Sequence, residues 1–305
     1  MVERFVKSGP LELWTESFGD PRNPAILLIM GAGAQGIFWP DKFCQILANN
    51  GFFVIRYDNR DVGQSSSIDF SKNPYSLDDM ADDAIAILDA YGIEKAHIIG
   101  VSMGSTIAQL LALNYPERVL SLVLIMATPD LSVIVHSVIP YLLRPFMGFY
   151  TKRTNLPPPS PAVIKFYRLA WLFSPKDRAS WLKMMHKAFL VFSGGSSVDE
   201  QEMKLLNERA ISRARTIGGG VTNHSQAIKA TAKKKIDLAA IDKQTLIIHG
   251  QNDPVFPPEH GKFLATVISN TRLEIIPDMG HIIPTALSEK LATLIVSNIK
   301  NFCSR

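Results

Sequence analysis

Cysteine is nearly absent: among 305 residues only Cys44 and Cys303 carry a thiol, and neither belongs to a Cys-x-x-Cys pair or a metal-spaced cluster. A disulfide framework is thereby excluded, and no metal site is expected. Long apolar runs are also missing. The stretch 131–150 comes nearest, but His136, Pro140, Arg144, Pro145 and Gly148 interrupt it, whereas a bilayer span needs about 20 consecutive apolar residues. Stable membrane insertion is therefore not expected, and the stretch reads as helices of an inserted segment. The opening Met1 to Lys7 alternates charged and apolar residues without the apolar core of a signal peptide, so a cytoplasmic location is expected. Charge of one sign is scarce too. The net charge is +4 with 20% charged residues, and the basic residues are dispersed apart from Lys233-Lys234-Lys235, so nothing calls for nucleic acid. There is no internal repeat, and oligomeric state leaves no mark on the sequence.

What the chain has is apolar sequence, 47% of it, enough to bury a large core. Its pattern alternates. Leu11 to Ser17 follows the turn signal Ser8-Gly9-Pro10 and pairs with Phe5-Val6 as an edge. Ala25 to Met30, Phe52 to Tyr57, Ala96 to Ile99, Val119 to Met126, Gln244 to His249 and Arg272 to Ile276 are compact apolar runs suited to strands buried on both faces. Helical patterns lie between them: Asp41 to Asn50, a helix capped by Ser76 and closed by Gly92, Ser105 to Leu113, Pro258 to Ser269 and Leu287 to Phe302. Such alternation predicts an α/β fold with a mostly parallel sheet flanked by helices. From Thr128 to about Lys235 the strand signals thin out, and helical segments rich in aromatic residues and methionine are broken by proline and glycine clusters. Residues 1–128 and 236–305 are therefore expected to form the core, and 129–235 a helical cap inserted into it.

Gly100-Val101-Ser102-Met103-Gly104 sits between a strand and a helix. A serine at so sharp a turn is lifted clear of the sheet in a strained conformation, and crowding there demands small residues two positions away on each side. A Gly-x-Ser-x-Gly match alone is weak, because an ordinary turn with a buried serine can carry it. The strand before and the helix after distinguish this one as a candidate nucleophile, Ser102.

A serine hydroxyl needs a base, and seven histidines are available. His97 lies inside the strand leading to Ser102, His136, His186 and His224 fall in the cap, His249 ends a strand and His260 sits in a helix. His281 differs: Asp278-Met279-Gly280-His281 is a loop after the last strand, at the sheet end where parallel α/β folds place ligand sites. Asp253 follows the preceding strand and completes the chain order serine, acid, histidine. Taken alone it would be a turn-former before Pro254. Charge developing on a carbonyl oxygen needs two converging amides. Met103, at the start of a helix, supplies one, and the small-residue segment after the third strand supplies the other, expected to be the Ala32 amide.

With these residues in place, the chain resembles the α/β-hydrolase fold superfamily. The matching motifs are Met30-Gly31-Ala32, Asp58 to Ser65, Gly100 to Gly104, Asp253-Pro254-Val255 and Gly280-His281. Within the superfamily, Glu12-Leu13-Trp14, Arg56-Tyr57-Asp58, Gly63 to Ser65 and Met279-Gly280-His281 resemble the anthracycline (aclacinomycin) methylesterases, with less likeness in the cap. The resemblance implies carboxylic-ester hydrolysis through an acyl-enzyme, with the catalytic roles carried by Ser102, Asp253 and His281. Asp58 and Arg60 belong to a loop motif read as structural.

The expected function is a serine esterase acting on a small or medium apolar ester, methyl esters included, without metal or organic cofactor. Thioesterase, lactonase, acyltransferase and carbon–carbon hydrolase chemistries use the same triad, and a non-catalytic ligand-binding protein of this fold is the rival from another class. Trp39, Phe146 and Trp171 are the first candidates for a substrate pocket, with Tyr150, Phe173, Trp181 and Met185 beside them. The same spacing would suit plain core.

Overall fold

The computed structural model describes residues 1–138, 154–173 and 175–303. Its centre is an eight-stranded sheet of order β1-β2-β4-β3-β5-β6-β7-β8. The strands are β1 (Val2–Ser8), β2 (Leu11–Phe18), β3 (Ala25–Ile29), β4 (Phe53–Tyr57), β5 (Ala96–Val101), β6 (Val119–Ile125), β7 (Thr245–Gly250) and β8 (Thr271–Ile276). β2 runs antiparallel to both β1 and β4, and the remaining pairs are parallel. The first strand is longer than the Phe5-Val6 signal suggested, because the register continues round Gly9 at φ 54 until Ser8 faces Leu11.

Every residue of β3, β4, β5 and β7 is buried, which is why these strands read as continuous apolar runs rather than alternating ones. Their side chains still part to opposite faces. Leu27, Ile29, Ile98, Leu122 and Ile247 join a cluster with α2 (Leu77–Ala90), α3 (Met103–Asn114) and α9 (Glu259–Val267). Ile26, Leu28, Ile99, Val123 and Ile248 join another with α1 (Asp41–Asn49) and α10 (Ser288–Cys303). Each fully buried Leu or Ile in these layers contributes on the order of 2 kcal/mol of burial. The start of α2 follows its sequence: Asp78 N–H donates to Ser76 Oγ at 3.2 Å and Ser76 N–H to Asp79 Oδ2 at 2.7 Å.

Between β6 and β7 the described residues form α4 (Ser132–Val138), α5 (Pro161–Leu172), α6 (Arg178–Phe192), α7 (Glu200–Arg213) and α8 (Gly219–Ala232). Residues from each of these helices line one cavity together with Ser102 and His281. Among the described residues no helix is long and apolar enough to cross a membrane.

Candidate active site

Ser102 lies between β5 and α3 with φ 53 and ψ −118, a conformation that L-residues rarely adopt. The two glycines of the motif are required by space. A Cβ on Gly100 would run into the carbonyl of Gly104, and one on Gly104 into the carbonyl of Ile29 on the neighbouring strand. The turn is thus packed too tightly for any other residue at either place, and it presents the Ser102 hydroxyl at the carboxyl end of the sheet.

Asp253 and His281 arrive at that hydroxyl from the loops after β7 and β8. Nε2 of His281 is 2.9 Å from Ser102 Oγ, and Nδ1 is 2.8 Å from Asp253 Oδ2. The other oxygen of Asp253 accepts from the amides of Val255 and Phe256, both at 2.8 Å. Burial pushes the carboxyl pKa up, but the charge and hydrogen bond of His281, aided by the Phe256 amide, outweigh it and hold Asp253 below the ordinary carboxylate value. An ionised Asp253 accepts at Nδ1–H, which leaves Nε2 as the nitrogen with a free electron pair toward Ser102. His281 is also held from α6 and from the loop after β7: its backbone N–H donates to the carbonyl of Phe192 at the end of α6 (2.7 Å), and the rings of Phe192 and of Phe256 in that loop meet the imidazole edge-on.

The segment after β3 passes directly over Ser102, since a Cβ on Gly31 would come 3.3 Å from the Ser102 Cβ. Gly31, Ala32, Ser102, Met103 and His281 line one cavity. The structure therefore brings together all five residues singled out for chemistry: Ser102, Asp253 and His281 through hydrogen bonds, Ala32 and Met103 along the same wall.

Residues 24–284 match the sequence profile of the alpha/beta hydrolase fold family. The chain belongs to the alpha/beta hydrolase family. It is 34% identical over 300 residues to rhodomycin D methylesterase DauP of Streptomyces sp. (strain C5), covering 98% of this chain and 99% of that protein, and 32% identical over the same length to rhodomycin D methylesterase DnrP of Streptomyces peucetius. The motif-based resemblance thus holds over nearly the full length. Among solved structures, the 2-hydroxy-6-oxo-6-phenylhexa-2,4-dienoate hydrolase of Rhodococcus sp. strain RHA1 superposes with a TM-score of 0.74 at 19% identity, covering 98% of both chains. The esterase EaEST of Exiguobacterium antarcticum gives 0.71 at 20% identity, covering 98% of this chain and 100% of that one. At such identities these two show the shared fold.

The remaining described histidines of this alpha/beta hydrolase stand away from the Ser102 hydroxyl. His97 bonds Ser121 Oγ at 2.8 Å, and His260 bonds Thr128 Oγ1 and the carbonyl of Pro157, both at 2.9 Å. His249 is fully buried, donates from Nε2 to the carbonyl of Phe256 at 2.7 Å, and lies 3.5 Å from Asp253 Oδ2. Burial lowers its pKa against the pull of Asp253, so it stands beside the carboxylate as a neutral ring. In sequence a strand-terminal histidine carries no mark of the carboxylate four residues on.

The cavity above Ser102 measures about 1390 Å³ and is walled mainly by apolar side chains. Each of the helices α4 to α8 contributes to it, among their residues Val135, Phe166, Met185, Leu206 and Ile228. Of the residues named for a pocket, Trp181 and Met185 line it. Trp39 does not: it is fully buried and stacks on Phe43 at 5.4 Å within the layer under α1. An aromatic residue just ahead of a helix looks the same in sequence whether it faces core or cavity. Trp171 belongs to α5, but its side chain, like Phe146 and Tyr150, lies outside the described residues. Phe173 points outward, 73% exposed.

Proposed function

We propose that this protein is a serine carboxylic-ester hydrolase working through an acyl-enzyme on apolar esters, and that a methyl ester of a bulky acid is its substrate type. The observation that carries the reading is the continuous hydrogen-bonded chain from Ser102 Oγ through His281 to Asp253.

Ser102 Oγ attacks the ester carbonyl while its proton passes to His281 Nε2, and the C=O bond opens to a tetrahedral oxyanion facing the amides of Ala32 and Met103. Asp253 stabilises the imidazolium without taking its proton. Collapse re-forms the carbonyl, breaks the ester C–O bond and returns the proton from His281 to the departing alcohol. Water, deprotonated at the same nitrogen, then attacks the acyl-enzyme and releases the acid and the free Ser102 hydroxyl. The triad, with Asp253 buried and His281 open to the cavity, supplies the base, and the positive φ of Ser102 keeps its hydroxyl clear of the sheet.

The cavity exceeds the roughly 300–1,000 Å³ of usual small-molecule sites, which moves the acid part of the ester from the small or medium size expected from sequence toward a bulky one. The similarity to two rhodomycin D methylesterases over nearly the whole chain supports a methanol leaving group. The helices α4 to α8 act as a cap that closes this volume over Ser102.

Incubation with a fluorophosphonate should label Ser102 alone. Methyl esters of polycyclic acids should then be hydrolysed faster than long-chain p-nitrophenyl esters. Absence of labelling in the folded protein overturns the hydrolase reading, and a preference for long-chain esters overturns the substrate type.

A further inference from the structure

His224, on cap helix α8, is fully buried and uses both ring nitrogens. The amide of Gly33 donates to Nδ1 at 2.9 Å across 191 residues of sequence, and Nε2 faces the carbonyl of Arg60 at 2.8 Å. An amide can donate only to an unprotonated nitrogen, so Nδ1 carries the lone pair and Nε2 the proton: the ring is neutral, in one tautomer. The helix is seated closely on the same two loops. A Cβ on Gly33, whose φ is +70, would come 2.9 Å from Val221 Cγ2, one turn before His224. A Cβ on Gly220 would collide with Val62. Gly33 follows Ala32 directly, so the peptide that joins them is held at its N–H by the cap and not by the core.

We propose that His224 is a positioning residue for ester hydrolysis: by accepting from Gly33 it fixes the Ala32–Gly33 peptide and, together with the Ala34 N–H bond to the Gly31 carbonyl (3.3 Å), keeps the Ala32 donor aimed at the reacting carbonyl. The proposal rests on the hydrolase reading above. Its consequence is that the cap both walls the substrate cavity and completes the charge-stabilising site. Loss of the bond would be felt in the transition state, where the oxyanion develops, far more than in ground-state binding.

The test compares H224Q and H224N, each checked for folding by thermal melting. Asparagine places Oδ1 near the position of Nδ1 and keeps an acceptor for Gly33, whereas glutamine reaches toward Arg60 and leaves Gly33 without one. With a p-nitrophenyl ester, H224Q is expected to lose about 10- to 100-fold in kcat with KM within about threefold, since an outright missing oxyanion donor costs about 10²–10³. Its Ki for a trifluoromethyl ketone, whose adduct places an oxyanion in the same spot, should rise by the same factor. H224N should stay within about threefold of the parent in both. An H224Q protein with unchanged kcat and ketone affinity overturns the proposal, as does H224N falling as far as H224Q. If H224Q does not fold, H224A assayed with and without imidazole reads the same bond: recovery of kcat and ketone affinity supports it, and no response overturns it. Failure of the parent protein to label with fluorophosphonate would instead count against the hydrolase reading itself.

Discussion

Nε2 of His281 stands 2.9 Å from Oγ of Ser102 although 179 residues separate them in the chain. That separation spans α3, β6, the helices α4 to α8 and two further strands, so the contact exists only in the closed fold. Asp253 holds the far side of the same ring at 2.8 Å.

Ser102→Ala should lower kcat for p-nitrophenyl esters by about 10⁴- to 10⁶-fold while leaving the fold intact. Ser102→Gly should be equally inactive yet more stable than Ser102→Ala by about 1 kcal/mol, because glycine accepts the φ of 53 that alanine keeps as strain. Urea midpoints of the two variants measure the difference, and an equal or reversed order would remove strain at the turn from the account.

Asp253→Asn should fold and yet lose about 10³- to 10⁴-fold in kcat, with the loss in kcat rather than KM. The amide group must turn either its NH2 toward the Val255 and Phe256 amides or toward His281 Nδ1–H. The first choice sets NH2 against the two backbone donors; the second keeps those bonds but sets NH2 against Nδ1–H and so favours the wrong tautomer, with the proton on Nε2. Stopped-flow measurement of acylation would locate the defect in the first chemical step.

Arg213, at the end of α7, donates to Asp58 Oδ2 at 2.8 Å and stacks over Trp14 at 4.1 Å from its ring centre. Asp58 is fully buried, and burial raises its pKa against the pull of Arg213 and the amides of Gln64 and Gly36. Arg213→Gln leaves that carboxylate without its countercharge and should cost about 3 kcal/mol at pH 7. Without the guanidinium the folded-state pKa rises further above the unfolded value, so the variant regains stability as the pH falls and Asp58 takes up a proton. The difference between parent and variant should therefore shrink between pH 7 and pH 5. A constant difference in chemical denaturation across that range would contradict the assignment.

Burial lowers the pKa of His97, His224, His249 and His260, that of His97 to about 4. A histidine whose folded-state pKa is depressed contributes stability that is fully present above the unfolded value of about 6.5 and is lost as the pH falls from there toward the folded value. Unfolding free energy should thus drop steeply from pH 6.5 to pH 4, by up to about 1.4 kcal/mol per pH unit for each ring. Replacing His97 with Leu should flatten the slope by about one such increment. An unchanged slope would exclude His97 as a contributor.

The sheet and the turn at Ser102 were legible in the sequence because both are written in local terms. Strands buried on both faces must be apolar throughout, and the turn at Ser102 excludes a Cβ at Gly100 and Gly104, so composition and spacing reveal them without any distant partner. The order Ser102, Asp253, His281 is likewise a property of the chain, since parallel strands deliver their carboxyl-end loops to one edge of the sheet. Tertiary structure alone decided which surfaces meet. Trp39 ranked ahead of Met185 as a candidate for the pocket, and only packing sent Trp39 beneath α1 and Met185 into the cavity wall. Nothing near His224 or Arg213 in the sequence marks them, yet from the helices between β6 and β7 they reach Gly33 and Asp58 across 191 and 155 residues. Hydrogen bonds between remote segments leave no periodicity, and their partners become visible only when the cap is folded onto the sheet.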